Sequence, residues 1–502
     1  MNRIFHLSFL LLCVAAAGTS TAAKPNIVFL LADDLGWSDL GCYGADLHET
    51  PNIDRFAQEA VRFPQAYMMS VCSPSRAGIL TGKHPARLHI TIWREGSLDP
   101  VNPKWKMIPP ETVHDLPLEE ITTAKALKTV GYATIHVGKW HLGDAPHYPE
   151  AQGFDVNIGG TLWGAPNGYF HPFKGNRVFG DFRYVPGLGL GKPGQYLTDR
   201  LTDEAIRMID EAGDQPFYLN LCFHCPHAPI EPKTELVEHY RKKLLATMHH
   251  QSPEYAAMVQ TLDDNVGRVL RHLDERHLSD HTIVVFASDN GGYINKYGGR
   301  NVTNNSPLRS GKGSLYEGGI RVPVMIRWPG VTPVAGAVCE EPIFCTDFFP
   351  TLTEAAGVAR ADRGDSGRDG LDLAPILKDS AAKLGRDTLY FHYPHYYATT
   401  TPVGAIRHGD WKLLEYFQTG KLELYNLKND LGETNDLAKV DPDKVRELHQ
   451  ELVEWRQSVG AQMPTARPEH AMAPGEPFLA SGNLAVPQIE DASDIDAGPD
   501  ED

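Results

Sequence analysis

Two oxygen-rich turns and one cysteine stand out among the side chains able to do chemistry. Asp33-Asp34 end an apolar run just before Gly36, and Asp289-Asn290 end another just before Gly291-Gly292. Either pair alone would pass for a helix cap. Together, with no histidine-cysteine cluster beside them, they favour calcium or magnesium over zinc, and calcium tolerates irregular oxygen geometry better. Cys72 opens the run Cys72-Ser73-Pro74-Ser75-Arg76-Ala77-Gly78-Ile79-Leu80-Thr81-Gly82-Lys83, a turn entering a helix. A lone cysteine there is ordinarily a structural thiol and turns nucleophilic only where its surroundings favour the charged form. Lys139 and His141 follow a strand ending in Gly138, so they project from a turn, although a solvated loop would read the same way. His227 lies in the proline-flanked run Cys225-Pro226-His227-Ala228-Pro229, where it could move a proton. His224 competes for that role, but strand alternation sends it to the opposite face.

The elements that must carry these groups follow from the hydrophobic pattern. Strands are expected at Asn26 to Ala32, Tyr132 to Val137, Phe217 to Phe223, Thr282 to Ala287 and Pro323 to Trp328, separated by longer amphipathic stretches. This is the alternation of an α/β fold with a mostly parallel sheet covered by helices. Tyr255 to Leu273 places Met258, Leu262, Val266, Val269 and Leu273 at helical spacing. Ligands of such sheets gather at the carboxyl ends of strands, where the candidate residues lie. From Leu384 the pattern changes. Ala405 to Arg407, Trp411 to Phe417 and Lys421 to Leu427 read as a small antiparallel sheet, closed by a helix from Asp443 to Trp455.

The expected organisation is a signal peptide over 1–23, a main domain over 24–383, a C-terminal unit over 384–460 and an acidic, disordered tail over 461–502. The apolar stretch Phe9 to Ala17 is shorter than the ~20 residues needed to span a bilayer. Export to the periplasm or medium, with no membrane attachment after signal removal, is therefore expected. A formal charge of −17 opposes a nucleic-acid partner, and an anionic substrate would need locally concentrated cations. Cysteines are too few for a disulfide scaffold, although Cys339 and Cys345 could bridge a short loop.

The Cys72 run resembles the signature of the sulfatase family, Cys-x-Pro-Ser-Arg followed by Leu-Thr-Gly and a basic residue, here Lys83. The segments Asn26 to Gly36, Gly138-Lys139-Trp140-His141-Leu142-Gly143, Pro226-His227-Ala228-Pro229, Gly311-Lys312 and Glu317-Gly318-Gly319 occur in family order. The resemblance extends through Leu424-Tyr425-Asn426-Leu427 to Glu433-Thr434. It implies an alkaline phosphatase-like fold. It also implies that Cys72 is oxidised to formylglycine (3-oxoalanine) by a maturation enzyme. One calcium ion would be held by Asp33, Asp34, Asp289, Asn290 and residue 72. Arg76 would support the hydrate or the cation's carboxylates, and Lys139 would meet sulfate or hydrate. His141 would remove a proton, while His227 and Lys312 would contact sulfate and protonate the leaving oxygen. The compact Gly82-Lys83-His84-Pro85-Ala86-Arg87 stretch is most like bacterial sulfatases acting on sulfated glycans.

Other readings are an aryl sulfate as preferred substrate, a phosphodiester or phosphonate ester hydrolase of the same superfamily, and a glycan-binding protein with a dead site. Trp93 to Pro117 and Ala145 to Lys192, rich in Gly, Pro and aromatics, are candidate substrate-facing loops.

Overall fold

The computed structural model describes residues 24–468 except 190, 333–335 and 365–366. The expected signal peptide lies outside the described residues, as does the tail from 469 onward. Residues 461–468, assigned above to the disordered tail, are held in place. Thr465–Ala466 pairs antiparallel with Met107–Ile108, and Arg467 reaches the carbonyls of Asn102 and Trp105.

The main sheet has eight strands: β1 (Asn26–Ala32), β2 (Val61–Tyr67), β3 (Ala133–Gly138), β4 (Val156–Ile158), β5 (Phe217–Cys222), β6 (Thr282–Ser288), β7 (Arg321–Arg327) and β8 (Ile343–Phe344). Their spatial order is β8-β2-β7-β6-β1-β5-β3-β4. All neighbours run parallel except β7, which is antiparallel to both β6 and β2. The central strand β1 is apolar along its length because both faces are covered. Ile27, Phe29 and Leu31 enter one core and Val28, Leu30 and Ala32 the other.

Helices close both faces. Helix α1 (Cys72–Thr81) is buried at every position. A Cβ on its Gly78 would lie 2.8 Å from Cys345 Sγ, so the thiol fills the space a larger residue would take. Cys345 and Cys339, which the spacing allowed to bridge, do not form a disulfide. Helix α2 (Leu197–Ala212) packs beside α3 (Pro253–Glu275). Pro253 begins α3, and the Ser252 side chain accepts from the Tyr255 N–H, satisfying an otherwise orphaned donor. Met258, Leu262, Val266, Val269 and Leu273 all face the core, as their spacing predicts.

The C-terminal sheet has four antiparallel strands, β9 (Thr388–Tyr393), β10 (Val403–His408), β11 (Trp411–Tyr416) and β12 (Lys421–Asn426), in sequential order. Helix α4 (Pro442–Val459), capped by Asp441, lays Val445, Leu448 and Leu452 on Ile406, Leu413 and Leu424. The opposite face, with Phe391, Val403 and Leu414, joins the core of the main sheet. No described helix is long and apolar enough to cross a membrane.

Candidate active site

Four neighbouring strands of the main sheet end at one place, and the turns leaving them carry the chemistry. β1 delivers Asp33 and Asp34, β6 delivers Asp289 and Asn290, β3 leads to Lys139 and His141, and β5 leads to His227. The strand ends stay zipped beyond the sheet, with the Asp289 N–H on Ala32 O and the Lys139 N–H on Cys222 O. Gly138 is required there, because a Cβ would lie 1.9 Å from Cys222 O. Asp34 and His141 adopt left-handed backbones, φ 61° and 59°, a conformation non-glycine residues hold only where surrounding contacts impose it.

Cys72, at the first turn of α1, points its Sγ at His141 Nδ1, 3.3 Å away. Ser75 explains its own place in the motif: its hydroxyl accepts from the Met69 N–H and fastens the turn before Cys72. Arg76, one turn further, donates through Nε and Nη2 to Asp289 Oδ2 (3.0 and 2.8 Å) and through Nη1 to Lys139 O. Lys139 Nζ lies 2.8 and 2.9 Å from the two oxygens of Asp33. Lys312 Nζ lies 3.2 Å from Asp34 Oδ2 and 3.1 Å from His227 Nε2. Asn290 donates to Asp34 Oδ1 at 2.7 Å. All these residues are buried. Asp33, Cys72 and Asp289 offer ligand atoms within 4.8 Å of one another, and so do Asp33, Asp34 and His227.

The electrostatics are those of crowded carboxylates matched by cations. Burial is the largest influence on both Asp33 and Asp289. At Asp33 it prevails over Lys139 and pushes the pKa well above 3.8; at Asp289 Arg76 and Lys139 overcome it and hold the acid at about 2. His224 is buried too, and that burial, reinforced by the charges of Lys139 and Arg76, drives its pKa well below 6.5. Its ring is neutral, and its backbone carbonyl accepts from the Tyr169 hydroxyl.

A family model described as "Sulfatase" matches residues 25–358, two-thirds of the chain. The chain belongs to the sulfatase family. It is a sulfuric ester hydrolase, of a family that uses a formylglycine and a metal ion. A second model, "N-sulphoglucosamine sulphohydrolase, C-terminal", matches residues 311–458. A sulfatase of Formosa agariphila is 32% identical over 479 residues, covering 84% of this chain and 85% of that protein. Human N-acetylgalactosamine-6-sulfatase is 35% identical over 378 residues, covering 72% of this chain and 67% of its own. Among solved structures, Ps i-CgsB in complex with k-i-k-neocarrahexaose superposes with a TM-score of 0.72 at 30% identity, covering 86% of this chain and 92% of that one.

The structure of this sulfatase adds residues that the motif search passed over. Glu95, inside the Trp93 to Pro117 loop, sets its Oε2 2.5 Å from His141 Nε2. Ser73 donates to His141 O and accepts from the Arg94 N–H, joining that loop to α1. Gly164, in the other candidate loop, donates its N–H to Glu95 Oε1 at 2.8 Å. A third wall comes from the C-terminal unit, where Thr399 donates to Lys312 O and Tyr397 packs over Gly313. Nothing in local composition marked Glu95, because its partner is 46 residues away in sequence.

Proposed function

We propose that this sulfatase cleaves sulfate esters of carbohydrates through a formylglycine made from Cys72, with one calcium ion held by Asp33, Asp34, Asp289, Asn290 and residue 72. The observation that carries this reading is the buried meeting of Cys72, three carboxylates and Asn290 at adjoining strand ends. The donor set fits a hard cation. Its oxygens come from separate strands, and Asn290 Oδ1 is buried without a hydrogen-bond partner among the described residues. Hydrated formylglycine supplies one hydroxyl as nucleophile and a second through which the aldehyde can be regenerated, while calcium supplies positive charge for a sulfuryl oxygen and lowers the pKa of a bound hydroxyl.

The chain's own residues account for the rest. Three acidic side chains, Asp33, Asp34 and Asp289, are opposed by as many basic ones, Arg76, Lys139 and Lys312, so the site carries no excess of negative charge. A divalent cation would leave it positive, as an anionic sulfate ester requires. His227 Nδ1 lies 2.6 Å from Ala228 O, which places one proton there; Nε2, beside Lys312, takes a second proton, and the resulting imidazolium gives it to the leaving oxygen and returns to the neutral ring. His141 Nδ1 faces residue 72 and can accept a proton from it. Export, with maturation by a formylglycine-generating or equivalent enzyme, completes the reading. The carbohydrate assignment draws on the relatives named above, and the sulfate position is set by the loops around Glu95, Gly164 and Tyr397.

The deciding experiment is intact-peptide mass spectrometry across Cys72 in protein from a maturation-competent host, paired with sulfate release from glycan and aryl sulfates. Aldehyde or hydrate mass, release from glycan sulfates and loss of release in Cys72→Ala are expected. Unmodified cysteine with full release would refute the nucleophile. Full modification with release only from phosphodiesters or phosphonates would refute the substrate class.

A further inference from the structure

The ring of His141 is gripped on every side that could set its orientation. Its backbone N–H donates to Thr161 O at 3.1 Å, and its carbonyl accepts from the Ser73 hydroxyl at 2.8 Å. Nδ1 faces Cys72 Sγ at 3.3 Å, and Nε2 faces Glu95 Oε2 at 2.5 Å. The second oxygen of Glu95 accepts the Gly164 N–H. Gly164 also borders the ring: a Cβ there would lie 2.3 Å from His141 Cε1, so only glycine leaves room for the imidazole. Glu95 is itself buried, in the short helix Arg94–Leu98, and its position is fixed before any substrate arrives.

We infer that Glu95 is a positioning residue that holds His141 with its proton on Nε2 and its lone pair on Nδ1, aimed at residue 72. An imidazole can accept at Nδ1 only if the proton sits on Nε2, and a carboxylate 2.5 Å from Nε2 selects that tautomer. Burial favours a neutral Glu95, but the charge of His141 once it is protonated, its hydrogen bond and the Gly164 N–H outweigh burial and bring the acid to about 2, so the same carboxylate that selects the tautomer also stabilises the imidazolium formed when Nδ1 takes a proton. The arrangement is a chain of carboxylate, imidazole and residue 72, in which Glu95 touches neither substrate nor nucleophile and acts only through His141. Its catalytic consequence rests on the sulfatase reading given above, whereas the tautomer does not.

The test uses Glu95→Gln in two preparations of the full chain. In protein with Cys72 unconverted, a long-range ¹⁵N spectrum of labelled histidines, with His141 assigned by its loss in His141→Gln, is expected to show the Nε2–H form in the wild type. Glu95→Gln should lose that single form, because an amide can present either a donor or an acceptor to Nε2. In converted protein, kcat should fall on the order of 10²–10⁴-fold with KM little changed and formylglycine content equal to wild type. Glu95→Asp, which keeps the charge on a shorter arm, should recover part of kcat. If Glu95→Gln does not fold, Gly164→Ala pushes the same ring from its other side and should lower kcat with KM again little changed. Wild-type kcat in Glu95→Gln, or an unaltered His141 spectrum, would overturn the inference. A wild type that releases no sulfate would instead overturn the sulfatase reading, and the spectrum alone would then judge Glu95.

Discussion

Two of the buried charge clusters among the described residues are built differently. At the active site Asp33, Asp34 and Asp289 meet Arg76 of α1 and Lys139 and Lys312 on turns and loops, around a cysteine and two histidines. Where the C-terminal sheet meets the main body, Lys412 of β11 lies 2.8 Å from both Glu317 and Glu433. Glu317 also accepts from the Tyr67 hydroxyl at 2.7 Å and pairs with Arg321. Glu433 accepts the Glu317 N–H. In this second cluster Lys412, Tyr67 and Arg321 stand on strands, and no cysteine or histidine is among the partners. Buried ion pairs alone therefore do not mark a catalytic site. The first cluster differs because its groups converge on a nucleophile candidate, and because Asn290 Oδ1 has no hydrogen-bond partner among the described residues whereas Glu433 Oε1, also without a hydrogen bond, faces Lys412 Nζ at 2.8 Å. One cluster is arranged to receive something, and the other welds two sheets together.

The sharpest way to break this contrast is to cut each cluster once. His227→Gln should lower kcat roughly 10²–10⁴-fold, the ordinary worth of a positioned acid, while the melting temperature moves only slightly. Glu317→Gln should do the reverse. It strips Lys412 and Arg321 of a charged partner at a buried site, which costs about 3–5 kcal/mol of stability. Chemical unfolding and kcat of the folded fraction read both variants. Equal losses of stability in the two would mean that the clusters are not separate in purpose.

This division also explains what the sequence disclosed. β1, β3, β5 and β6 were legible because central parallel strands are nearly continuous apolar runs, and the acidic and glycine-rich turns after them stood out against that background. β2 was not, because Val61–Tyr67 carries Arg62, Pro64 and Gln65 within seven residues. Pro64 lies opposite Pro323, where the β2–β7 register shifts between Val322 and Val324, so neither missing N–H is needed in the ladder. The direction of β7 was illegible for another reason: burial on both faces gives the same apolar pattern in either orientation. β4 and β8 are too short to show a period, and β9 follows directly on the turn-like run Lys383-Leu384-Gly385-Arg386-Asp387, which hides where it begins. The metal-site candidates Asp33, Asp34, Asp289 and Asn290 and the groups Cys72, Arg76, Lys139, His141, His227 and Lys312 do come together. Glu95 escaped because it is joined to His141 by the fold alone.

Removing the cation gives a smaller effect that sharpens the same comparison. A ligand present at 100 times its Kd contributes about 2.7 kcal/mol to stability. Chelation with EDTA should therefore lower the melting temperature, and added calcium should restore it. Asn290→Ala, which deletes the spare oxygen, should shrink that calcium-dependent shift. Glu317→Gln should leave the shift at its wild-type size on a lower baseline, since its cluster has no part in holding the ion. A calcium shift that disappears in Glu317→Gln would couple the two regions.

A pH dependence of similar size belongs to the weld alone. Glu317 and Glu433 share Lys412, and burial is the leading influence on each. Lys412 and Arg321 overcome it at Glu317 and hold that acid at about 2, whereas at Glu433 burial and the Glu317 charge win and raise the pKa from 4.5 to about 7. The folded chain thus keeps a proton on Glu433 that the unfolded chain releases earlier. Stability from this group is full below 4.5, declines as pH rises, and is lost above about 7, a swing of up to about 3 kcal/mol. Glu317 contributes in the opposite sense, its stabilisation being lost only as pH falls from 4.5 toward about 2, outside that window. Glu433→Gln, a permanent mimic of the protonated acid, should therefore gain stability relative to wild type between about pH 5 and about pH 8. Urea unfolding of both proteins across that range measures the difference directly. Parallel curves would assign the shared proton elsewhere, and a change in kcat tracking the stability difference would show that the weld bears on the active site after all.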